Sequence, residues 1–218
     1  RAKNTKSKYL PNWGHDVLLE LIWWGVPTAI IICLGIMTWI STHKLDPYRK
    51  LDVPGKTMII QAVSLRWKWL FIYPKQNIAS INYFVVPKGR QVEFYITSDA
   101  PMSSFMLPQL TSQIYSMAGM RTRLHMVADV DGTYSGRNAQ YTGDGFSYNS
   151  FKVKVTSKKD FNSWVKQAKQ APARLTLGEY TKLAKPTINN PVKYYSWVRK
   201  KLFTRIMEQY TKPNMRLH

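Results

Sequence analysis

The chain is short of three things: cysteine, histidine and acidic residues. Its one cysteine, Cys33, lies inside an uncharged apolar run. That placement excludes an internal disulfide, a CxxC redox pair and a thiolate metal site in all of the chain beyond the run. The four histidines are scattered: His15 and His43 flank the run, His125 stands between Leu124 and Met126, and His218 is the last residue. No ligand set is expected from them. Asp and Glu number 12 against 32 Lys and Arg, for a formal charge of +20, and 10 of the former and 28 of the latter come after Glu20. Such an excess suits anionic headgroups, an acidic partner or nucleic acid. A solvated basic surface is the simpler reading.

Apolar sequence is what the N-terminal part has in plenty. From Leu21 to Thr42 no residue carries a formal charge, and a hydrocarbon core of about 30 Å needs roughly 20 such residues in a helix. Trp23, Trp24 and Trp39 stand near the two ends, where indoles favour the headgroup boundary. A buried core helix is the rival reading, but the run is longer than most and apolar all round. A cleaved signal would be shorter and end in small residues, and Thr42-His43-Lys44 does not. The expectation is therefore a transmembrane helix over 17–42 in a lipid bilayer. Arg1, Lys3, Lys6 and Lys8 hold segment 1–16 on the cytoplasmic side. The rest is expected outside the cytoplasm, where nucleic acid is not an expected partner. Pro27 is expected to kink the helix or to sit where neighbours satisfy the freed carbonyl. Because the chain begins with Arg and not Met, it is read as a mature or partial product.

Residues 43–56, with Pro47, Pro54 and Gly55, read as an irregular linker. Beyond them the period is two. Val92, Phe94 and Ile96 alternate with polar neighbours, as do Phe151, Val153 and Val155. Further strands are expected over 57–65, 67–73, 78–86, 121–128 and 132–141, with turns at Pro74, Pro87-Lys88-Gly89 and Asp131-Gly132. About seven short strands without helices between them indicate a β-sandwich or small barrel over 57–156.

After Ser157 the period is helical, giving an extension over 157–218. Phe161, Trp164, Val165 and Ala168 share a stripe, with Ser157 and Asp160 as cap and Pro172 as stop. A second short helix is expected from Thr176 to before Pro186. A third is expected from Asn190-Pro191, with Tyr194, Val198, Leu202 and Ile206 on one stripe. These helices pack on the barrel or lie against the membrane.

The blocks SLRWKWLFIYP, SSFMLPQL, QIYSMAGMRTRL and GTYSGRNAQYTGDGFSYNSF resemble subunit II of the haem–copper respiratory oxidases, most of all the ubiquinol oxidase branch of cytochrome bo type. The resemblance runs from about Lys6 to the C-terminus and implies a membrane-anchored, mainly β protein whose soluble part is a cupredoxin-like barrel. In the cytochrome c branch that barrel holds two coppers on two thiolates, two imidazoles, a thioether and a carbonyl, a set that suits soft copper ions. The family spacing puts the early His at Ser103, the two Cys at Asn138 and Thr142, the Glu at Gln140, the later His at Phe146 and the Met at Asn149. Pro108, Gly132, Tyr134, Gly136 and Gly143 keep the frame. The resemblance thus implies a domain without copper, with Phe146 as an apolar plug and Asn138, Gln140 and Thr142 hydrogen-bonded in place of metal bonds. Trp67 and Trp69 become core and interface residues.

The function that the resemblance implies is that of a non-redox subunit of a proton-pumping ubiquinol oxidase in a bacterial inner membrane, with its barrel in the periplasm. No cofactor is expected in this chain. Haems, copper and ubiquinol are expected in subunit I, which with other small membrane subunits is the expected partner. Docking of cytochrome c is not expected, because the basic domain would repel it. The block ELIWWGVP places Glu20 where the family has a glutamate at the entrance of a proton-uptake path; an interface carboxylate at a helix N-terminus is the plainer alternative. The resemblance also implies a further helix upstream, with a lipid-modified cysteine. The alternatives are a cytochrome c oxidase subunit with an atypical metal site and a basic, membrane-anchored binding module.

Overall fold

The computed structural model describes residues 11, 14–46, 48, 49, 51 and 53–211. Arg1, Lys3, Lys6, Lys8, Pro47 and His218 lie outside the described residues. The chain divides into two compact units between Asp46 and Pro47.

The first unit contains helix α1, Val17–Lys44. Asp16 starts it: its carboxylate accepts from the backbone N–H of Leu18 at 3.0 Å and Leu19 at 3.2 Å, which satisfies two donors that the helix itself cannot. The helix ends two residues later than expected. His43 and Lys44 occupy its last turn, where cations suit the helix dipole. Pro27 lies within α1 and does not break it. The helix is long and apolar enough to cross a membrane.

The second unit is built on ten strands: β1 (Met58–Leu65), β2 (Lys68–Tyr73), β3 (Ile78–Ile81), β4 (Tyr83–Pro87), β5 (Val92–Ser98), β6 (Ser103–Met106), β7 (Gln113–Ser116), β8 (Thr122–Met126), β9 (Gly132–Asn138) and β10 (Ser150–Thr156). They form two facing sheets. One runs β3-β2-β1-β5-β8, and the other β4-β10-β9-β6-β7. The stretch 78–86, expected as one strand, is two. At Asn82 the backbone turns left-handed, with φ 54°, and the side-chain oxygen accepts from the Trp69 N–H at 2.8 Å. That corner carries the chain from one sheet to the other, and Asn tolerates it better than most residues. Strands β6 and β7 are additional to those expected from the sequence, being four residues each with no alternation to betray them.

The inward rows of both sheets meet in an aromatic core of Trp69, Phe71, Phe84, Phe94, Phe105 and Phe151, all buried. Phe105 stacks on Phe151 at 4.9 Å and Trp69 meets Phe105 edge-on at 5.3 Å, geometries that aromatic quadrupoles favour. The β2 sequence KWLFIY is apolar at nearly every position because both faces of its sheet are covered.

The cover on the outer face is the later part of the C-terminal extension, while the first helix of the extension packs on the aromatic core through Phe161 and Ala168. Helix α2 (Lys158–Lys169) is capped by Ser157, whose hydroxyl accepts from the Asp160 N–H at 3.1 Å. Strand β11 (Arg174–Leu175) and helix α3 (Leu177–Ala184) come next, the latter capped by Thr176. The third expected helix is only half helical. Residues 193–198 form strands β12 (Lys193–Tyr195) and β13 (Trp197–Val198), and helix α4 covers Leu202–Thr211 alone. The tertiary context explains the difference. Tyr194 and Tyr195 pair with Ser80 and Ala79 at the open edge of β3, where β-favouring aromatics fit, and the helical spacing of Tyr194 and Val198 is coincidental. Leu175, Tyr180, Tyr195, Val198, Leu202, Phe203 and Ile206 then bury Val63, Leu65, Leu70, Ile72, Ala79 and Ile81, the outward row of β1, β2 and β3.

Candidate functional site

The residues at the family's ligand positions gather at one end of the barrel. Asn138 closes β9 and is 2% exposed. Its side-chain oxygen accepts from the Ser104 N–H at 2.8 Å and the Gln140 N–H at 3.0 Å. Its amide donates to the Gln140 carbonyl at 2.7 Å and to Thr142 Oγ1 at 3.2 Å. One amide thus ties strand β6, strand β9 and the following loop together. Asn149 sits across from it, giving its carbonyl to the Asn138 N–H at 2.9 Å. The Asn149 side chain is buried without a hydrogen-bond partner among the described residues. Ser103, 1% exposed, donates to the Pro101 carbonyl at 3.2 Å.

Phe146 is one of two half-buried rings at this end. It lies half-buried in a single 3₁₀ turn, Phe146–Tyr148, with its ring 5.6 Å from that of Tyr141. The other is Trp67, which packs on the loop directly. It stands in the turn between β1 and β2 with φ 65°, a conformation that costs a bulky residue about 1 kcal/mol or more. Its indole N–H donates to the Thr142 carbonyl at 3.0 Å, and its ring lies flat on Gly145, where a Cβ would come within 2.2 Å of it. Trp69, by contrast, is entirely in the core. Gly136 serves the same purpose one strand away: a Cβ there would come within 2.2 Å of the Phe151 ring.

The side chains at the six ligand positions are three carboxamides, two hydroxyls and an aromatic ring. These are neutral and hard or apolar. They do not fit copper, which calls for thiolate, imidazole and thioether. Among the described residues no group of three or more His, Cys, Asp or Glu side chains is placed to hold a metal ion. His125 faces Glu93 on the neighbouring strand at 3.8 Å, both nearly buried. In the first unit, Glu20 accepts a contact from His15 at 3.2 Å with its side chain 47% exposed.

Two features escaped sequence reasoning. Asp99, in the loop between β5 and β6, accepts from the Tyr180 hydroxyl, from the Gln209 amide and from the Tyr210 hydroxyl at 2.6 Å. Burial, with Asp99 adding to it, drives the Tyr180 phenol far above its ordinary range, and Tyr210 moves in the same direction. Lys68, on the outer face of β2, is 1% exposed; its ammonium donates to the Lys185 carbonyl at 2.9 Å and to Thr187. Burial brings its pKa down to about 8. Nothing local marks either residue, since their partners lie more than 80 residues away in the chain.

Residues 169–214 match the family described as COX Aromatic Rich Motif. Over 210 residues the chain is 52% identical to cytochrome bo(3) ubiquinol oxidase subunit 2 of Pseudomonas aeruginosa, covering 96% of this chain and 63% of that one. It is 42% identical over 212 residues to ubiquinol oxidase subunit 2 of Acetobacter aceti, covering 96% of this chain and 69% of that one. The periplasmic domain of subunit II of cytochrome oxidase of Bradyrhizobium japonicum superposes with a TM-score of 0.51 at 23% identity, covering 54% of this chain and 97% of that one. The fold is thus that of an oxidase subunit II: an apolar helix followed by a cupredoxin-like domain and a helical C-terminal segment. The chain belongs to the ubiquinol oxidase subunit 2 family.

Proposed function

We propose that this chain is a non-redox subunit of a proton-pumping ubiquinol oxidase, which oxidises ubiquinol and reduces dioxygen to water. The observation that carries the reading is the Asn138 amide, which with Ser104, Gln140 and Thr142 builds by hydrogen bonds the loop that a copper centre would otherwise hold together. Names of relatives at 42–52% identity support the quinol branch. Haems, copper and quinol would reside in subunit I, and this chain would stabilise that subunit and cover its outer face, beside other small membrane subunits. The formal charge of +20 argues against a basic cytochrome c as donor. The barrel would stand in the periplasm, with α1 in the bacterial inner membrane.

Metal analysis of the purified chain, together with recovery of its partners from solubilised membranes, tests this. Less than stoichiometric copper and co-purifying haem are expected. Two coppers per chain with near-infrared absorption would overturn it in favour of a cytochrome c oxidase subunit with an atypical metal site. Recovery free of haem-bearing partners would favour a basic, membrane-anchored binding module.

Glu20 is proposed to collect protons at the cytoplasmic end of α1, with His15 beside it as a relay. Glu20→Ala should then slow proton uptake and turnover together, and unchanged values would remove the role.

A further inference from the structure

A cavity of about 520 Å³ opens where three separate parts of the second unit meet: the β1–β2 turn at Arg66, the Asp99–Pro101 loop, and the extension, through Thr181, Ala184, Lys185 and Pro186 at the end of α3 and Tyr210 of α4. We infer that this cavity binds a phosphate-type oxyanion carrying an apolar substituent. This goes beyond the assignment to an oxidase, and the two stand or fall separately.

The charges around the cavity are unbalanced. Arg66 and Lys185 line it, and neither forms an ion pair with a carboxylate of the described residues. The one carboxylate in the lining, Asp99, already accepts from Tyr180, Gln209 and Tyr210, and against it the two cations of the lining leave one positive charge in excess. Arg66 is near enough to Tyr210 to favour its phenolate against the opposing effects of burial and Asp99, so the guanidinium and the phenol share this space. The carbonyl end of α3 would ordinarily repel an anion. Here the Lys185 carbonyl accepts from the buried Lys68 ammonium at 2.9 Å, which places a third cation behind the wall and offsets that end of the helix. An arginine and a lysine lining one volume suit an oxyanion with several acceptor oxygens. The volume exceeds that of phosphate alone, and Ala100, Pro101, Ala184 and Pro186 give the remainder an apolar lining, hence the substituent. A soluble phosphate ester and a phospholipid headgroup share this chemistry.

The test uses the whole chain in neutral detergent, titrated calorimetrically with inorganic phosphate and, separately, with dihexanoyl phosphatidic acid at fixed ionic strength. Saturable binding of at least one probe is expected, weakened at least tenfold in the Arg66→Gln/Lys185→Gln double variant. Both replaced side chains are exposed, and circular dichroism checks the fold. Binding of both probes points to a soluble ester, and binding of the lipid alone to a headgroup; each supports the site. A control variant, Lys152→Gln/Lys154→Gln, alters exposed cations of β10 on the other sheet and is expected to leave binding intact. No binding of either probe overturns the inference. So does equal binding in the double variant, or an equal loss in the control, which would mean general charge attraction and no site.

Discussion

Asp99 and Tyr210 meet at 2.6 Å, one in the loop between β5 and β6 and the other in the last helix, 111 positions along the chain. This contact, with those from Tyr180 and Gln209, fastens the extension to the same loop that leads into Ser103. Asp99→Ala would leave two buried donors, Tyr180 and Gln209, and the half-exposed Tyr210 hydroxyl without their acceptor. A loss of about 3 kcal/mol is expected, from roughly 1–3 kcal/mol per orphaned group with partial relaxation, and Asp99→Asn should lose less because one oxygen remains. Urea unfolding of the detergent-solubilised chain measures both. Ultraviolet titration adds a second check: the Tyr210 phenol, now raised by burial and by Asp99, should titrate lower in Asp99→Asn.

Gly145→Ala tests the packing of the Trp67 indole. The added methyl would need the ring to leave a position 2.2 Å away, so destabilisation of about 1–3 kcal/mol is expected. Loss of the hydrogen bond to Thr142 should accompany it, seen as a red shift and broadening of tryptophan emission. An unshifted spectrum with unchanged stability would show that the ring does not hold the loop.

Lys68 predicts a dependence on pH. Its folded value of about 8 lies below the ordinary 10.5, owing to burial, so the unfolded chain binds more protons between those two values. Stability should therefore rise as pH goes from about 8 toward 10.5 and stay on its lower level below 8. The full gain is about 3 kcal/mol. The tyrosines raised by burial act in the opposite sense at high pH, so the measurement is a difference: Lys68→Met, which keeps the apolar stem, should be more stable than the parent at pH 7 and lose that advantage by pH 10.5.

Truncation after Gln170 would remove β11, α3, β12, β13 and α4 and uncover Val63, Leu65, Leu70, Ile72, Ala79 and Ile81. An apolar face of that extent on an otherwise paired sheet is an association site. The shortened chain is expected to aggregate on size-exclusion chromatography in conditions where the full chain gives one peak.

Much of the architecture was legible in the residues. The charge-free run from Leu21 to Thr42 announced α1, and its length needed no partner to interpret. Strands β5 and β10 showed their inward rows as strict alternation, and Ser157 and Thr176 marked helix starts through their own hydroxyls. Where the reading failed, a distant partner decided. Tyr194 and Val198 kept a helical spacing yet became strand because β3 offered an open edge. Strand 78–86 broke at Asn82 because the Trp69 N–H, 13 residues away, holds that side chain. At the barrel's end the residue types already excluded thiolate and imidazole ligands, but they did not say that Trp67 would pack on Gly145 and bond the Thr142 carbonyl.

The sequence by itself determined an apolar helix and a β domain with a helical tail, because residue type and period carry those properties directly; that positions 103 and 138–149 form a donor set unsuited to copper followed from the family resemblance together with the residues standing there. Only the tertiary structure decided that the tail is the second wall of the β1–β2–β3 sheet, and that Asp99, Lys68 and Arg66 meet it. Burial and hydrogen-bond partnership across 80 to 120 residues are properties of the packed chain, and no local pattern encodes them.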